Sequence, residues 1–257
     1  MHRFFASSTA IQSGWVELDE REAHHAAVVL RLNPGSKVVI LDGLGTVAQA
    51  VVHEVVRRKA VLQILSQSQV PPPVCALILM QSVTKGKSMD FLIQKATELG
   101  ASRIWPIIAE RSIVQLSGET ADAKAEKWRW IAIDALKQSG GAWLPKIEPP
   151  ISFQQFTQSG NSFGLSMVAS LQSQAIHPRD AFENYQVKNH RMPESVAMWI
   201  GPEGDFTPEE YTWIQTSGAV PISLGSLTLR SETAALFTLA CLQYEIQWQT
   251  RLGKPAA

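Results

Sequence analysis

Short apolar runs of β type open the chain, at residues 15–18, 37–41, 47–53 and 60–65. They are separated by turn residues such as Asn33-Pro34-Gly35 and Asp42-Gly43, the usual punctuation between strands. One helix is predicted over 24–32. This pattern predicts a small β-barrel module over residues 1–70, ending at Pro71-Pro72-Pro73. From residue 74 to about 250 the pattern changes to alternating strands and helices. Strands are predicted at 74–80, 103–109, 163–169, 196–200 and 220–224. A helix from about Ser88 places Met89, Leu92, Ile93 and Ala96 on one face. A second, over 122–139, does the same with Trp128, Ile131, Ala132, Ala135 and Leu136. Such alternation specifies an α/β fold with a largely parallel sheet covered on both sides.

Two of these strands end abruptly in glycine. Ile200-Gly201-Pro202-Glu203-Gly204-Asp205-Phe206 follows the apolar run 196–200, and Leu224-Gly225-Ser226-Leu227-Thr228-Leu229-Arg230-Ser231-Glu232-Thr233-Ala234 follows 220–224. Thr207-Pro208-Glu209-Glu210 then reads as a capped helix start, with Thr207 as N-cap, Pro208 at the first position and Glu210 closing a capping box. The next helix is expected from about Ser231, burying Leu236, Leu239 and Ala240. Both glycine loops therefore fall at carboxyl ends of strands, where α/β sheets bind ligands. Either loop alone is more often an ordinary turn; it is the pair that points to a site.

Composition narrows the class. In 257 residues, 45% hydrophobic content is enough for a substantial core. No apolar run approaches membrane-spanning length and the amino terminus lacks signal-peptide character, so a cytoplasmic protein without membrane contact is expected. Cys75 and Cys241 lie in apolar segments and are expected to be buried thiols. The six histidines show no ligand spacing with them, and no metal site is expected. The net charge is zero, against a strongly basic nucleic-acid binder, but the charge is uneven. Lys and Arg number ten against seven Asp and Glu over 85–146, and three against six over 199–257. Any RNA surface must be a local patch. Gly86-Lys87-Ser88 fails as a phosphate loop because Gln81 stands where its first glycine is required.

GPEGDF followed by LGSLTLRSETA resembles the SPOUT superfamily of knotted methyltransferases, and within it the RsmE-type enzymes that methylate N3 of a uridine in small-subunit ribosomal RNA. The likeness extends over nearly the whole chain: His2-Arg3-Phe4-Phe5, His25 with Val29-Leu30-Arg31, Asp42-Gly43, Ile93 to Gly100, Arg111-Ser112 and Gln138-Ser139-Gly140. The chain departs from the family pattern at Asp205, where a third glycine is common, and at Leu227 and Gly141, where arginine often stands. The last two bear on RNA contact more than on the cofactor.

The resemblance implies a PUA-like RNA-binding domain over 1–70 and a trefoil-knotted methyltransferase domain over 74–250. It implies S-adenosyl-L-methionine as cofactor, 16S rRNA within the small ribosomal subunit as substrate, and a homodimer, to which the final helix and Trp248 offer an apolar face that could equally be core. Three loops would hold the cofactor: Ser170 and Leu171; Ile200, Gly201, Pro202, Glu203 and Gly204; and Leu224, Gly225 and Leu229. Arg230 would stabilise the uridine anion and Glu232 is the nearest candidate base; a local salt bridge or helix-start electrostatics is the structural alternative for both. Arg3, His25, Arg31, Lys85, Lys87 and Arg111 are candidate RNA contacts or plain surface groups. Methylation of a ribose 2′-hydroxyl, and a non-catalytic RNA-binding or ribosome-assembly role, remain the rival readings.

Overall fold

The computed structural model describes residues 1–112, 114 and 118–252. They form two compact units, Met1–Pro72 with Ile133–Leu144, and Pro73–Ala132 with the chain from Pro145 onward. Nothing in the hydrophobic pattern separates 133–144 from its surroundings, because it continues a helix without interruption.

The first unit is built on β1 (His2–Phe5), α1 (Ser8–Gln12), β2 (Trp15–Glu17), α2 (Glu20–His24), β3 (Lys37–Leu41), β4 (Thr46–Val56) and β5 (Lys59–Gln69). The strands form one five-stranded sheet of order β1-β3-β4-β5-β2, in which β1 runs parallel to β3 and the other pairs are antiparallel. Phe4, Val16, Val38, Ile40, Ala48, Val52, Ala60 and Leu62 bring every strand into one core, closed by Ile11, Ala23 and Ala26. The helix expected over 24–32 begins earlier and is not uniformly α. Asp19 accepts from the Glu22 N–H and starts α2 at Glu20, and a π-helical turn follows over His25–Val29. Arg31, at φ 51°, ends it. The strand β1 is four residues long and carries no alternation to read; its pairing with β3, Phe4 against Ile40, forms it.

The Asp42-Gly43 turn is tied by one carboxylate. Asp42 Oδ1 accepts the N–H groups of Leu44 (2.8 Å) and Thr46 (2.9 Å), and Oδ2 accepts the Ser8 hydroxyl at 2.7 Å. Burial pushes its carboxyl up, but the hydrogen bonds from Leu44, Ser8 and Thr46 together outweigh it, and the pKa lies below the usual value.

The second unit runs β6 (Ala76–Ser82), α3 (Lys87–Glu98), β7 (Arg103–Ile108), α4 (Glu119–Ser139, whose last turns belong to the first unit), β8 (Lys146–Ile147), β9 (Ile151–Ser152), α5 (Phe153–Gln158), β10 (Leu165–Ala169), α6 (Pro178–Asn189), β11 (Ser195–Ile200), α7 (Pro208–Thr216), β12 (Ala219–Ile222) and α8 (Ser231–Leu252). Every pairing is parallel, in the order β12-β10-β11-β6-β7-β8, with β9 also on β7. This is the α/β sheet expected from alternation. The short β8, β9 and α5, and the polar-faced α6, carry too little periodicity to be read.

One face of the sheet packs aromatic residues. Trp105, Phe156, Trp199 and Phe206 surround Met80, Val168 and Ile214, with Trp105 and Phe156 edge to face at 4.9 Å. α8 packs on β6 and β11, and α3 packs against α8. On α3 the expected Met89, Leu92, Ile93 and Ala96 are all buried. On α8 the buried stripe is rotated from the expected one. Ala235, Thr238, Leu239 and Leu242 face inward, whereas Leu236 is half-buried and Ala240 exposed. After β12 the chain crosses the strand ends, and α8 returns over β11 and β6. Cys75 is buried as expected; Cys241 is only half-buried, facing partly outward on α8. Among the described residues no helix is long and apolar enough to cross a membrane.

Candidate active site

Neighbours in the sheet dictate where the loops meet. β10 lies between β11 and β12, all three parallel, so the loops following them emerge side by side at the same edge. They line a half-open cavity of about 190 Å³ walled mostly by apolar groups. Nine of the ten residues expected there line it: Ser170 and Leu171 after β10; Ile200, Gly201, Pro202 and Glu203 after β11; Leu224, Gly225 and Leu229 after β12. Gly204 does not. It packs against Arg111, whose guanidinium donates to its carbonyl at 2.9 Å, so this glycine shapes the outer side of the loop.

The glycines answer steric demands. A Cβ on Gly201 would lie 2.8 Å from Asp205 Oδ1 and 3.3 Å from the Phe206 nitrogen. Gly225 has φ 111°, a conformation that L side chains adopt only with strain. Asp205 itself sits at φ 59°, tolerable for an aspartate, with its carboxylate accepting the Phe206 N–H. The capping box of α7 forms as expected, and Glu210 does more than close it. One carboxylate oxygen accepts the Thr207 N–H (3.0 Å) and the other the Glu110 N–H (2.9 Å), joining this loop to the end of β7.

Arg230 and Glu232 stand at the entry to α8. Arg230 lines the cavity, is exposed, and has no ion-pair partner among the described residues. Glu232 is half-buried in the first turn of the helix, where a carboxylate is favoured by the helix dipole. Among the described residues no ion pair joins them, while the other structural alternative, helix-start electrostatics, fits the position of Glu232. The lining also contains Asp205, Leu227, Thr228, Ser231 and Ala234, which motif reading did not single out. Only Asp205 and Leu227 carried a signal, as departures from a pattern. Together the walls present leucines, loop backbone, two carboxylates and one free guanidinium, a lining that suits an elongated ligand with apolar and cationic parts.

The other basic candidates are placed differently. Arg3 donates to the carbonyls of Lys137 and Gln138, both at 3.0 Å, and so caps the end of α4 within the first unit. His25 is half-buried, its ring edge-on to Phe4 at 6.4 Å. Arg31 is exposed. Lys85 and Lys87 are exposed around the start of α3, and Arg111 is committed to Gly204.

Comparison with known proteins agrees with this geometry. Residues 71–243 match the family described as RNA methyltransferase domain, and residues 18–65 match RNA methyltransferase PUA domain. The ribosomal RNA small subunit methyltransferase E of Synechocystis is 30% identical over 244 residues, covering 93% of this chain and 76% of the relative. Its Bacillus subtilis counterpart is 29% identical, covering 96% of this chain and 98% of its own. The crystal structure of the Neisseria gonorrhoeae enzyme of that name, bound to S-adenosyl methionine, superposes with a TM-score of 0.82 at 28% identity, covering 95% of this chain and 98% of that one. With the sheet order, the three-loop cavity and matches across both units in agreement, this chain belongs to the ribosomal RNA small subunit methyltransferase E family.

Proposed function

We propose that the chain methylates N3 of a uridine in 16S rRNA, using S-adenosylmethionine held in the three-loop cavity. The carrying observation is that cavity itself, with nine of the expected residues in its walls and the unpaired Arg230 at its rim. The lining fits the cofactor: backbone groups of the loops can meet the adenine edge, Leu224 and Leu229 offer apolar contact, and Glu203 and Asp205 suit a cationic ligand. S-adenosylmethionine supplies, when bound, a methyl group already activated by its sulfonium.

The chain must then align the target nitrogen and manage its proton. N3 of uridine is protonated at neutral pH, and the anion formed on its loss spreads onto O2 and O4. Arg230, a cation in place before reaction, stabilises that charge. Glu232, in the first turn of α8 two residues beyond Arg230 and outside the cavity lining, is the proposed base. Alignment by the rigid loops lowers the entropy cost of the encounter. The uridine must be unpaired to reach the cavity, as in sequence-specific RNA recognition generally.

The family relation supports RNA binding by the first unit, with His25 and Arg31 as contacts and Arg3 holding the end of α4 instead. Lys85 and Lys87 are proposed phosphate contacts in the second, as are the donors of the exposed Arg111 that the Gly204 carbonyl does not take. The small ribosomal subunit, in the cytoplasm, is the proposed substrate particle. Phe237, Tyr244 and Trp248 form an exposed aromatic stripe on α8, which supports a homodimer. The return of α8 past the 201–206 loop supports the trefoil crossing.

The test is complementation. In a host deleted for its own enzyme of this family, the chain should restore N3-methyluridine to 16S rRNA, and Gly201→Trp, whose Cβ would collide with Asp205 Oδ1 and displace the loop, should not. A restored ribose methyl would support the 2′-O reading, and no restored methyl the non-catalytic one.

A further inference from the structure

We infer that Gln81 is a positioning residue for the cofactor loop, acting through Ser231; the inference rests on the reading of the cavity as a cofactor site. Gln81 lies in β6 beneath that cavity, opposite Ile200 of β11, and is 0% exposed. Its Nε2 donates to the Ser231 hydroxyl at 2.9 Å and to the Ser82 carbonyl at 2.8 Å. Ser231 in turn donates to the Gly201 carbonyl at 2.7 Å.

The direction of this relay is fixed by its ends. The carbonyls of Gly201 and Ser82 only accept, so the Ser231 proton must point to Gly201 and the Gln81 amide must spend both of its N–H groups. Turning the amide over would set oxygen against oxygen at Ser82. Among the described residues the relay leaves Gln81 Oε1 buried with no hydrogen-bond partner. An unpaired buried amide oxygen is unfavourable, and an apolar side chain of the same length would avoid it. The amide is therefore explained by its donors and not by packing.

Those donors hold two functional segments at once. The Gly201 carbonyl is turned inward, which sets the plane of the Gly201–Pro202 peptide, and Pro202 has no N–H with which to anchor the loop otherwise. Ser231 is also the first residue of α8 and directly follows Arg230. One buried amide thus fixes the floor of the cavity and the point from which the Arg230 side chain departs.

Titration of S-adenosylmethionine into the intact protein tests this with Gln81→Met, which keeps length and removes the donors, Ser231→Ala, and the double variant. Each single variant should weaken cofactor binding by roughly tenfold, the double should be no weaker than either, and kcat on small subunits should fall at saturating cofactor. A purely structural role would lower Tm and leave the Kd of the folded protein unchanged, which overturns the inference. So would additive losses. If Gln81→Met does not fold, Ser231→Ala breaks the relay from its other end, and wild-type affinity in that variant overturns the inference alone. Wild-type protein that fails to bind S-adenosylmethionine would instead overturn the reading of the cavity.

Discussion

Tyr211 donates its hydroxyl to Ser170 Oγ at 2.6 Å, joining α7 to the loop that follows β10. Both groups are buried, and Ser170 Oγ also accepts the Gln172 N–H at 3.1 Å, so the hydroxyl sets the shape of a cavity wall without lining the cavity itself. Tyr211→Phe removes one neutral hydrogen bond and leaves a buried hydroxyl short of a donor. The expected result is a stability loss of about 1–2 kcal/mol and a cofactor Kd raised a few-fold, by thermal melting and titration calorimetry.

Burial raises the Tyr211 pKa above its usual 10.0, the Asp205 charge adds to this, and the Ser170 bond opposes it. A raised folded pKa stabilises the fold fully below the unfolded value, and that contribution is lost as pH rises through the folded one. Wild-type stability should therefore fall above about pH 10 more steeply than that of Tyr211→Phe, in chemical denaturation followed against pH.

Asp42 gives the opposite slope. Its folded pKa is depressed below 3.8, so its contribution is present above that value and is lost as pH falls through the folded pKa. Asp42→Ala should cost about 1–3 kcal/mol at pH 7 by unpairing the Leu44 and Thr46 N–H groups, and the deficit should shrink in strong acid.

Arg230→Ala should lower kcat by roughly 10²-fold or more while the cofactor Kd changes by less than about threefold, since in the proposed mechanism the group acts on charge formed only during reaction. Unchanged turnover would remove Arg230 from the mechanism.

The two thiols should differ in reactivity. Burial pushes the Cys75 thiol up to about 12 and raises that of the half-buried Cys241 less far. Iodoacetamide at neutral pH should modify Cys241 slowly and Cys75 only on unfolding, as peptide mass mapping would report.

What could be read in the sequence was local. Strand-glycine-helix signals marked the two loops after β11 and β12, and the Thr207 and Glu210 box formed where expected, because these depend on neighbours in the chain, whereas Ser170 and Leu171 came only through the family resemblance. What could not be read depended on distant partners. The role of Arg3 depends on carbonyls 134 and 135 residues away, and that of Gln81 on a serine 150 residues away. Gly204 matched a motif, but its surroundings were set by Arg111. The inward stripe of α8 is broken by Thr238, which pairs with the Ala234 carbonyl and so can be buried where a polar residue is expected outside.

The most direct measurement is incubation of the purified protein with methyl-labelled S-adenosylmethionine and small ribosomal subunits that lack the modification, followed by nucleoside analysis of the RNA. Label in N3-methyluridine, lost in Arg230→Ala, is the expected result. Cofactor bound in the cavity with no label transferred, or label on a ribose, would contradict the proposed reaction.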